Sequence, residues 1–202
     1  MPNLDKIVTL INDALEAGNF STRRFQPSIY HNIADDVKTT RESEDVIEPM
    51  IVFQNGEAKK MVYDDTNAFQ IFHKIESIDY KLSVLDYGPP GTTIEETANM
   101  SLIFVGNRKR LQVRPEDVTA AILMDMPKEF TTSQAQAFDL TSITIDTDSV
   151  ETDSYKVWAE QWVGIKSFVK PETILISIKY TIVDTYNRNC WSLCPTPKMY
   201  NY

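Results

Sequence analysis

Glycine is scarce in this chain, with only six in 202 residues. Phosphate-binding loops and dinucleotide-binding turns need several glycines close together, because only a backbone without side chains approaches a phosphate closely enough. The patterns of a P-loop, a dinucleotide fingerprint and a nucleophile elbow are all missing from the sequence. Since no motif points to a reaction, we predict that the protein is not an enzyme and that it holds no cofactor.

Cysteine and histidine are scarcer still. Cys190 and Cys194 are too few for a disulfide framework, and whether they pair is left open. They lack the second pair of ligands that a zinc site needs, since His31 and His73 lie far away along the chain. No triad pattern surrounds either histidine, so we expect each to be a surface or hydrogen-bonded residue. We therefore predict no metal site, and free thiols in a reducing cytoplasm.

Positive charge is in deficit, because 20 lysines and arginines face 29 acidic residues and leave a formal net charge of -9. A dedicated nucleic-acid or anionic-membrane binder needs a basic face, so both classes are disfavoured. The sequence also lacks a signal-peptide pattern and any apolar run near the roughly 20 residues of a membrane span. Its length and its 42% apolar content suit one well-buried domain.

Apolar periodicity predicts helices at three places. The first 18 residues form an amphipathic helix that Gly18 ends in a left-handed conformation. RPEDVTAAILMDM starts a second helix with Pro115 at its first position, and DSYKVWAEQWVG forms a short third one. The predicted core positions of the three helices are, in chain order, Leu4, Ile7, Val8, Ile11, Ala14 and Leu15; Val118, Ala121 and Ile122; and Tyr155, Trp158 and Trp162.

Strand patterns fill most of the remaining chain. Asn55-Gly56, between the β-prone runs of MIVFQNGEAKKMVYD, predicts a tight hairpin. MSLIFVG is apolar on both faces and predicts an interior strand, and LTSITID is a further strand. IESIDYKLSVLDYG and TILISIKYTIVDTYN each alternate between an apolar and a polar face. Their inward positions are Ile78, Tyr80, Leu82 and Val84 in the former and Ile174, Ile176, Ile178, Tyr180 and Ile182 in the latter, which turns Ser177, Lys179 and Thr181 outward.

These patterns predict an α+β fold. Strands with one polar face and hairpin connections indicate a mainly antiparallel sheet, with two to three helices covering its other face. We assign residues 1–187 to a single domain. Within it, residues 34–48 (ADDVKTTRESEDVIE) include eight charged side chains and predict a mobile polar loop or arm.

Residues 188–202 are predicted to form an extended tail, because Pro195 and Pro197 are incompatible with a helix interior or a central strand. The tail is rich in aromatic and methionine side chains, which are enriched at protein interfaces. Two interpretations stay open: the tail packs on its own domain, or it docks on a neighbouring chain. In the second case the candidate intersubunit contacts are Trp191, Leu193, Met199, Tyr200 and Tyr202.

Two charged motifs each have a functional and a structural interpretation. DTDSVETD, residues 146–153, spaces its carboxylates like a calcium loop but lacks the turn glycine and the terminal glutamate. We favour a strand exit in which Asp153 or Ser154 caps the next helix. GNRKRLQVR either contacts a phosphate or an acidic partner surface, or is a solvated strand end. It holds the densest positive charge of the chain, at Arg108, Lys109, Arg110 and Arg114.

The succession of elements resembles that of the tail-terminator and head-to-tail connector ring proteins of tailed bacteriophages. In that group an amino-terminal amphipathic helix precedes a hairpin, further antiparallel strands, a central helix and a long last strand. The matching pieces, LDKIVTLINDALEAG, MIVFQNGEAKKMVYD, RPEDVTAAILMDM and TILISIKYTIVDTYN, span most of residues 4–187. The likeness is one of element order without an invariant signature, and it is nearest to a neck or tail-barrel ring component of a crAss-like phage. Residues 34–48 and the tail exceed the compact form of that fold.

The resemblance implies a non-enzymatic structural virion protein of the neck or tail, made in the cytoplasm of a bacterial host. It would form a six-fold or twelve-fold homo-oligomeric ring, in contact with portal, neck and tail proteins. DNA would pass through the channel of this ring without specific binding. Two other functions remain compatible with the sequence: a small metal-dependent α+β enzyme using the acids of DTDSVETD and VYDDTN, and a monomeric adaptor or inhibitor of a host protein.

Overall fold

A computed structural model of the chain describes residues 4–18, 28–41, 43–52, 58–60, 66–83, 93–126, 129–131, 140–163, 169 and 171–187. These residues form an α+β fold of four helices and one eight-stranded sheet. The elements are, in chain order, α1 (Leu4–Ala17), β1 (Ser28–Arg41), β2 (Glu44–Val52), β3 (Ala58–Lys60), β4 (Phe69–Ser83), β5 (Thr93–Asn107), α2 (Arg108–Leu111), α3 (Pro115–Asp125), β6 (Glu129–Thr131), β7 (Leu140–Glu151), α4 (Ser154–Gln161) and β8 (Thr173–Asn187). No helix in these ranges is long and apolar enough to cross a membrane.

The sheet has the strand order β3-β2-β1-β4-β5-β8-β7-β6. Every neighbouring pair is antiparallel except β1 and β4, which run parallel, so the predicted, mainly antiparallel sheet is confirmed. Strands β4, β5 and β8 have 15 residues each and lie side by side in the centre. The last strand of the described chain therefore lies inside the sheet, between β5 and β7.

Helices α1 and α3 pack on one face of the sheet. The apolar stripe of α1 is buried as predicted, with Val8, Ile11 and Leu15 fully inaccessible to solvent. Val118 and Ile122 of α3 are equally buried. Both helices join one hydrophobic core with inward residues of the central strands, among them Phe69, Ile71, Leu102, Phe104, Ile176 and Ile178.

Helix α4 packs on the opposite face, which corrects the expectation that helices cover only one face. Successive residues of a strand point to opposite sides of the sheet. The strand residues that pack with Val157 of α4 and with its C-cap residue Trp162 alternate along the chain with those of the main core; they are Phe72, Ile103, Val105 and Leu175.

The aromatic residues of α4 meet different environments. Trp162 stacks on Trp158 with 4.6 Å between ring centroids and contacts Phe72 edge-on at 6.1 Å. Tyr155 is 63% exposed, so its predicted core position is wrong. Asp153 caps the helix, because its side chain accepts a hydrogen bond from the Tyr155 N–H at 3.0 Å. This confirms the capping interpretation of residues 146–153.

The charged stretch 34–48 is strand rather than loop in the described residues. Its two arms belong to β1 and β2, which pair from Ala34 and Ile51 to Arg41 and Glu44. The turn includes Ser43 at a φ of 72°. The antiparallel backbone pairing of β1 with β2 overrides the low strand propensity of the acidic side chains. Whether this hairpin acts as an arm that reaches a neighbour stays a prediction.

The strands of the predicted hairpin are present. Strands β2 and β3 pair in antiparallel register from Met50 and Lys60 to Val52 and Ala58. Asn55-Gly56 falls in residues 53–57, outside the described residues.

Three predicted details are wrong for identifiable reasons. Tyr80 is 60% exposed instead of inward, because it lies in the end of β4 that the main core does not reach. Ser177 is 1% exposed instead of outward, on the sheet face that α4 partly covers. Gly18 does not adopt a left-handed conformation; it is required instead by close approach, since a Cβ there would collide with the Asp125 side chain of α3.

Candidate assembly surfaces and a buried histidine

Helix α2 is a single short turn held by its surroundings. The Asn107 side chain at its start accepts a hydrogen bond from the Lys109 N–H at 3.0 Å. The Arg108 N–H donates to the Glu172 carbonyl oxygen at 2.7 Å, which ties α2 to the segment before β8. Leu111, 2% exposed, anchors the turn in the main core. The backbone of α2 is therefore fixed despite its length.

The outward side chains of α2 form a basic cluster, defined as Arg108, Lys109 and Arg110. All three are exposed. Within the described part of the chain, their side chains have no hydrogen-bond or ion-pair partner. A fixed turn thus presents three positive charges to solvent, so the structure brings three of the four predicted patch residues together.

Arg114, the fourth predicted patch residue, has a separate role. Its Nε and Nη2 donate to Asp117 Oδ2 and Oδ1 at 3.0 and 2.9 Å. The side-chain hydrogen bonds from Arg114 hold the pKa of the Asp117 carboxyl below its usual range. Arg114 occupies the N-cap position of α3, so this exposed ion pair lies at the helix start.

The β1–β2 hairpin forms a second charged surface, the acidic hairpin, defined as residues 34–48. Six acids and two bases give this stretch a formal charge of -4. Asp35, Asp36 and Asp45 are exposed. Asp45 contacts Lys38 at 2.6 Å, and Asp36 contacts Lys74 of β4 at 2.9 Å. These pairs join the two arms of the hairpin and tie it to the central sheet.

The environment of Asp35 shows that negative charge accumulates at the base of the hairpin. Partial burial, followed by repulsion from Asp5 and Asp36, raises the pKa of the Asp35 carboxyl. A raised carboxyl pKa means that the local surroundings disfavour another negative charge. A cation placed here by another molecule would relieve this repulsion.

His73 lies at the centre of a buried polar network between α1, β4 and β8. Its Nδ1 is 2.8 Å from the Tyr180 hydroxyl oxygen, and its Nε2 is 2.9 Å from Asn12 Oδ1. The Asn12 Nδ2 donates to the His31 carbonyl oxygen at 3.0 Å, which fixes the orientation of the amide. Nε2 must therefore carry the proton and donate to Asn12, while Nδ1 accepts from the tyrosine hydroxyl.

Burial keeps this network neutral. His73 is inaccessible to solvent, and burial lowers its pKa to about 3. Burial likewise raises the pKa of the Tyr180 hydroxyl. An imidazole that stays unprotonated at neutral pH and has both nitrogens hydrogen-bonded is poorly suited to proton transfer with a substrate. It positions α1 on the sheet, and the prediction of a hydrogen-bonded histidine is confirmed for His73.

The other predicted functional residues divide into two groups. Residues 146–153 lie in the end of β7 and the approach to α4, where Asp146 Oδ1 accepts from the Asp148 N–H at 3.1 Å. Within the ranges that the structure describes, no group of three or more side chains is placed to bind a metal. The tail residues lie outside the described residues, as do both cysteines: Trp191, Leu193, Met199, Tyr200, Tyr202, Cys190 and Cys194.

The chain has no match among family models and none among curated proteins. The resemblance to phage ring proteins therefore rests on element order alone.

Proposed function

We propose that this chain is a structural subunit of a homo-oligomeric ring in the neck or tail of a tailed bacteriophage, where it joins portal to tail around the DNA channel. The observation that supports the proposal most is the arrangement of the elements. An amphipathic α1 packs on a sheet that begins with a hairpin, continues with long antiparallel strands and α3, and ends in the 15-residue β8. This order is the basis of the resemblance.

The edges of the sheet support a finite assembly. Open strand edges pair with other chains and lead to uncontrolled growth unless they are short, bulged or interrupted by proline. Both edge strands, β3 and β6, have three residues in the described chain. Pro49 removes one backbone N–H donor from β2. The register of β7 against β8 shifts between Asp146 and Glu151. Subunits with such edges associate better through defined side-chain surfaces.

The charge of the chain suits a channel. A net charge of -9 repels phosphate and would let DNA slide past without specific binding. By contrast, no observation in the described residues favours the metal-dependent enzyme, since no set of metal ligands is assembled there.

Light scattering and electron microscopy of the purified full-length chain test the proposal. We expect a closed oligomer of fixed subunit number with a central opening, either alone or after addition of a neighbouring neck protein. A strict monomer at high concentration under both conditions, with metal-dependent turnover of a substrate, would overturn the proposal in favour of an enzyme.

Deleting residues 191–202 tests the tail. If these residues make intersubunit contacts, the deletion leaves the melting temperature of the isolated subunit nearly unchanged and weakens the oligomer. A fall of several degrees in the subunit itself would assign the tail to its own core.

A further inference from the structure

We propose that copies of this chain join head to tail through charge: the basic cluster of α2 in one copy binds the acidic hairpin of the next. This inference rests on the proposed function and names the two surfaces that its ring contact uses. The partner on each surface is a second copy of the chain.

The two surfaces lie at opposite ends of the sheet. The Asn107 N–H, just before α2, donates to the Ala68 carbonyl oxygen at the start of β4. β1 starts at this same end, because Ser28 pairs with Phe69 in parallel register. From there β1 runs 13 residues to Arg41 at the hairpin turn, a path of roughly 43 Å at about 3.3 Å per residue.

Because of this separation, the charges of the basic cluster and of the acidic hairpin do not neutralise each other within one subunit. Charges are screened over a Debye length of about 8 Å at physiological salt, far less than the path between α2 and the hairpin turn. The three cations of α2 also lack partners within the described residues, as do the isolated Lys81 and Lys179, whereas Lys38, Lys74, Arg114 and Lys156 have carboxylate partners. The basic cluster differs from Lys81 and Lys179 in that three such charges are consecutive on one turn. The basic cluster is thus available to a second molecule.

The acidic hairpin offers the complementary surface. Its formal charge of -4 opposes the three positive charges of the basic cluster. Both surfaces are held in place before contact, α2 by Asn107 and Leu111, and the hairpin by the antiparallel pairing of β1 with β2. Preorganised groups lose less conformational entropy on binding.

A contact between different surfaces at opposite ends is heterologous. Heterologous contacts do not end at a dimer; they continue until the rotation between subunits closes a ring. The same two surfaces on every copy therefore supply one contact between each pair of neighbours around such a ring. DNA phosphate is the competing partner for the basic cluster, but the net charge of -9 on the chain as a whole repels a polyanion.

Charge reversal in the full-length chain tests this contact. In R108E/K109E/R110E both ends are acidic, so we expect the dissociation constant of the oligomer to rise about tenfold or more. In D35K/E42K/E44K both ends are basic, and we expect the same loss. The control K81E/K156E/K179E changes three exposed lysines elsewhere and shifts the net charge from -9 to -15, as the first variant does. The control should assemble like the wild type.

Mixing the two reversed variants gives the decisive result. In a mixture, each acidic α2 meets a basic hairpin and each native α2 meets a native hairpin, so every contact is again complementary. We expect native mass spectrometry to show oligomers in which the two variants alternate. The double reversal in one chain should also self-assemble, whereas circular dichroism should show folded subunits for every variant.

Three results would overturn the inference. Assembly of R108E/K109E/R110E at wild-type strength would remove α2 from the interface while leaving the proposed ring intact. Failure of the mixture to assemble would show that the two surfaces do not meet. Wild-type binding to a double-stranded DNA oligonucleotide that this variant loses, with assembly unchanged, would assign the cluster to phosphate. A wild-type chain that stays monomeric even with its neck partner would instead overturn the proposed function itself.

Discussion

The two halves of β4, β5 and β8 belong to the same three strands but lie in different surroundings. In the packed half, residues 69–75, 100–107 and 173–180, most side chains are buried on both faces, against α1 and α3 on one side and α4 on the other. The exceptions are the exposed Lys179 and the partly buried Lys74, Ile75 and Thr173. In the outer half, residues 77–83, 93–99 and 181–187, β4 exposes Ser77, Asp79, Tyr80 and Lys81. A register shift between Ile75 and Ser77 of β4 marks the boundary.

This difference in surroundings shows which part of the sheet stabilises the fold and which part lies at the surface. Strand β5 pairs with β4 and β8 along both halves, so the backbone ladder is nearly the same in each. Side-chain burial differs most in β4, since Ala98 of β5 and Ile182 of β8 still join the main core in the outer half. Each fully buried large apolar side chain contributes about 1.5 to 3 kcal/mol. We infer that the packed half supplies most of the folding free energy. The exposed side chains of the β1–β2 hairpin are then free to contact other molecules.

The largest expected effect comes from a cavity in the packed half. Phe104 is fully buried and stacks on Phe69 with 5.2 Å between ring centroids. Phe104→Ala should lower the free energy of unfolding by about 3 to 5 kcal/mol. The matched aromatic residue in the outer half is Tyr80. Tyr80→Ala should change the free energy of unfolding by about 0.5 kcal/mol or less. Urea unfolding followed by circular dichroism measures both; equal losses would mean that the outer half is packed as tightly.

The packed half was the most predictable part of the fold. MSLIFVG is apolar at nearly every position, and both faces of residues 100–106 are buried. The stripe of α1 and the inward positions of β8 followed from periodicity for the same reason, since burial acts directly on a repeating pattern. The parallel pairing of β1 with β4 and the position of α4 on the opposite face depend on contacts between distant segments, which no local pattern encodes.

The candidate surfaces were predictable to a similar extent. Arg108, Lys109 and Arg110 are consecutive, so their clustering was visible in the sequence, whereas the pairing of Arg114 with Asp117 depends on the start of α3. The charged stretch 34–48 was misassigned because strand propensity is weak for acidic residues and pairing with β2 overrides it. The partners of His73 lie 61 and 107 residues away, so no local pattern predicts them. The signal that could have predicted burial is the alternation of Phe69, Ile71 and His73 along β4.

The next effect is an acid sensitivity of the packed half. The pKa of His73 falls from 6.5 to about 3 on folding because of burial. Below pH 6.5 the unfolded chain therefore binds a proton that the folded chain does not. Stability should fall as pH falls from about 6.5 toward 3, by up to about 1.4 kcal/mol per pH unit from this residue.

His73→Gln isolates that contribution, because it keeps a neutral polar group and removes the titration. Urea unfolding of wild type and variant at half-unit pH steps should give a difference whose slope vanishes above pH 7. If the two proteins have parallel stability curves between pH 3 and 6.5, His73 is not the buried group that the structure describes.

Asn12 and Asn99 allow the side-chain hydrogen bonds of the two halves to be compared. Asn12 is 6% exposed and bonds His73 of the packed half, so Asn12→Ala leaves a buried donor unsatisfied and should cost about 1 to 3 kcal/mol. Asn99 bonds Ser77 at 2.9 Å and Thr181 at 3.0 Å in the outer half, where it is half-buried. Water replaces these partners, so Asn99→Ala should cost less than about 1 kcal/mol. Thermal unfolding measures the stability of both variants. A larger loss of stability for Asn99→Ala than for Asn12→Ala would contradict this prediction.

The smallest effect lies in the acidic hairpin, outside both halves. Lys38 and Asp45 form an ion pair at 2.6 Å, with side chains 67% and 56% exposed. Exposed pairs contribute little, so Lys38→Ala should change the free energy of unfolding by about 0.5 kcal/mol or less. The same change makes residues 34–48 more acidic, from -4 to -5, and should tighten a contact with α2. Urea unfolding and the salt dependence of oligomer dissociation measure the two effects; a clear loss of stability without tighter association would show that the pair holds the hairpin together rather than tuning its charge.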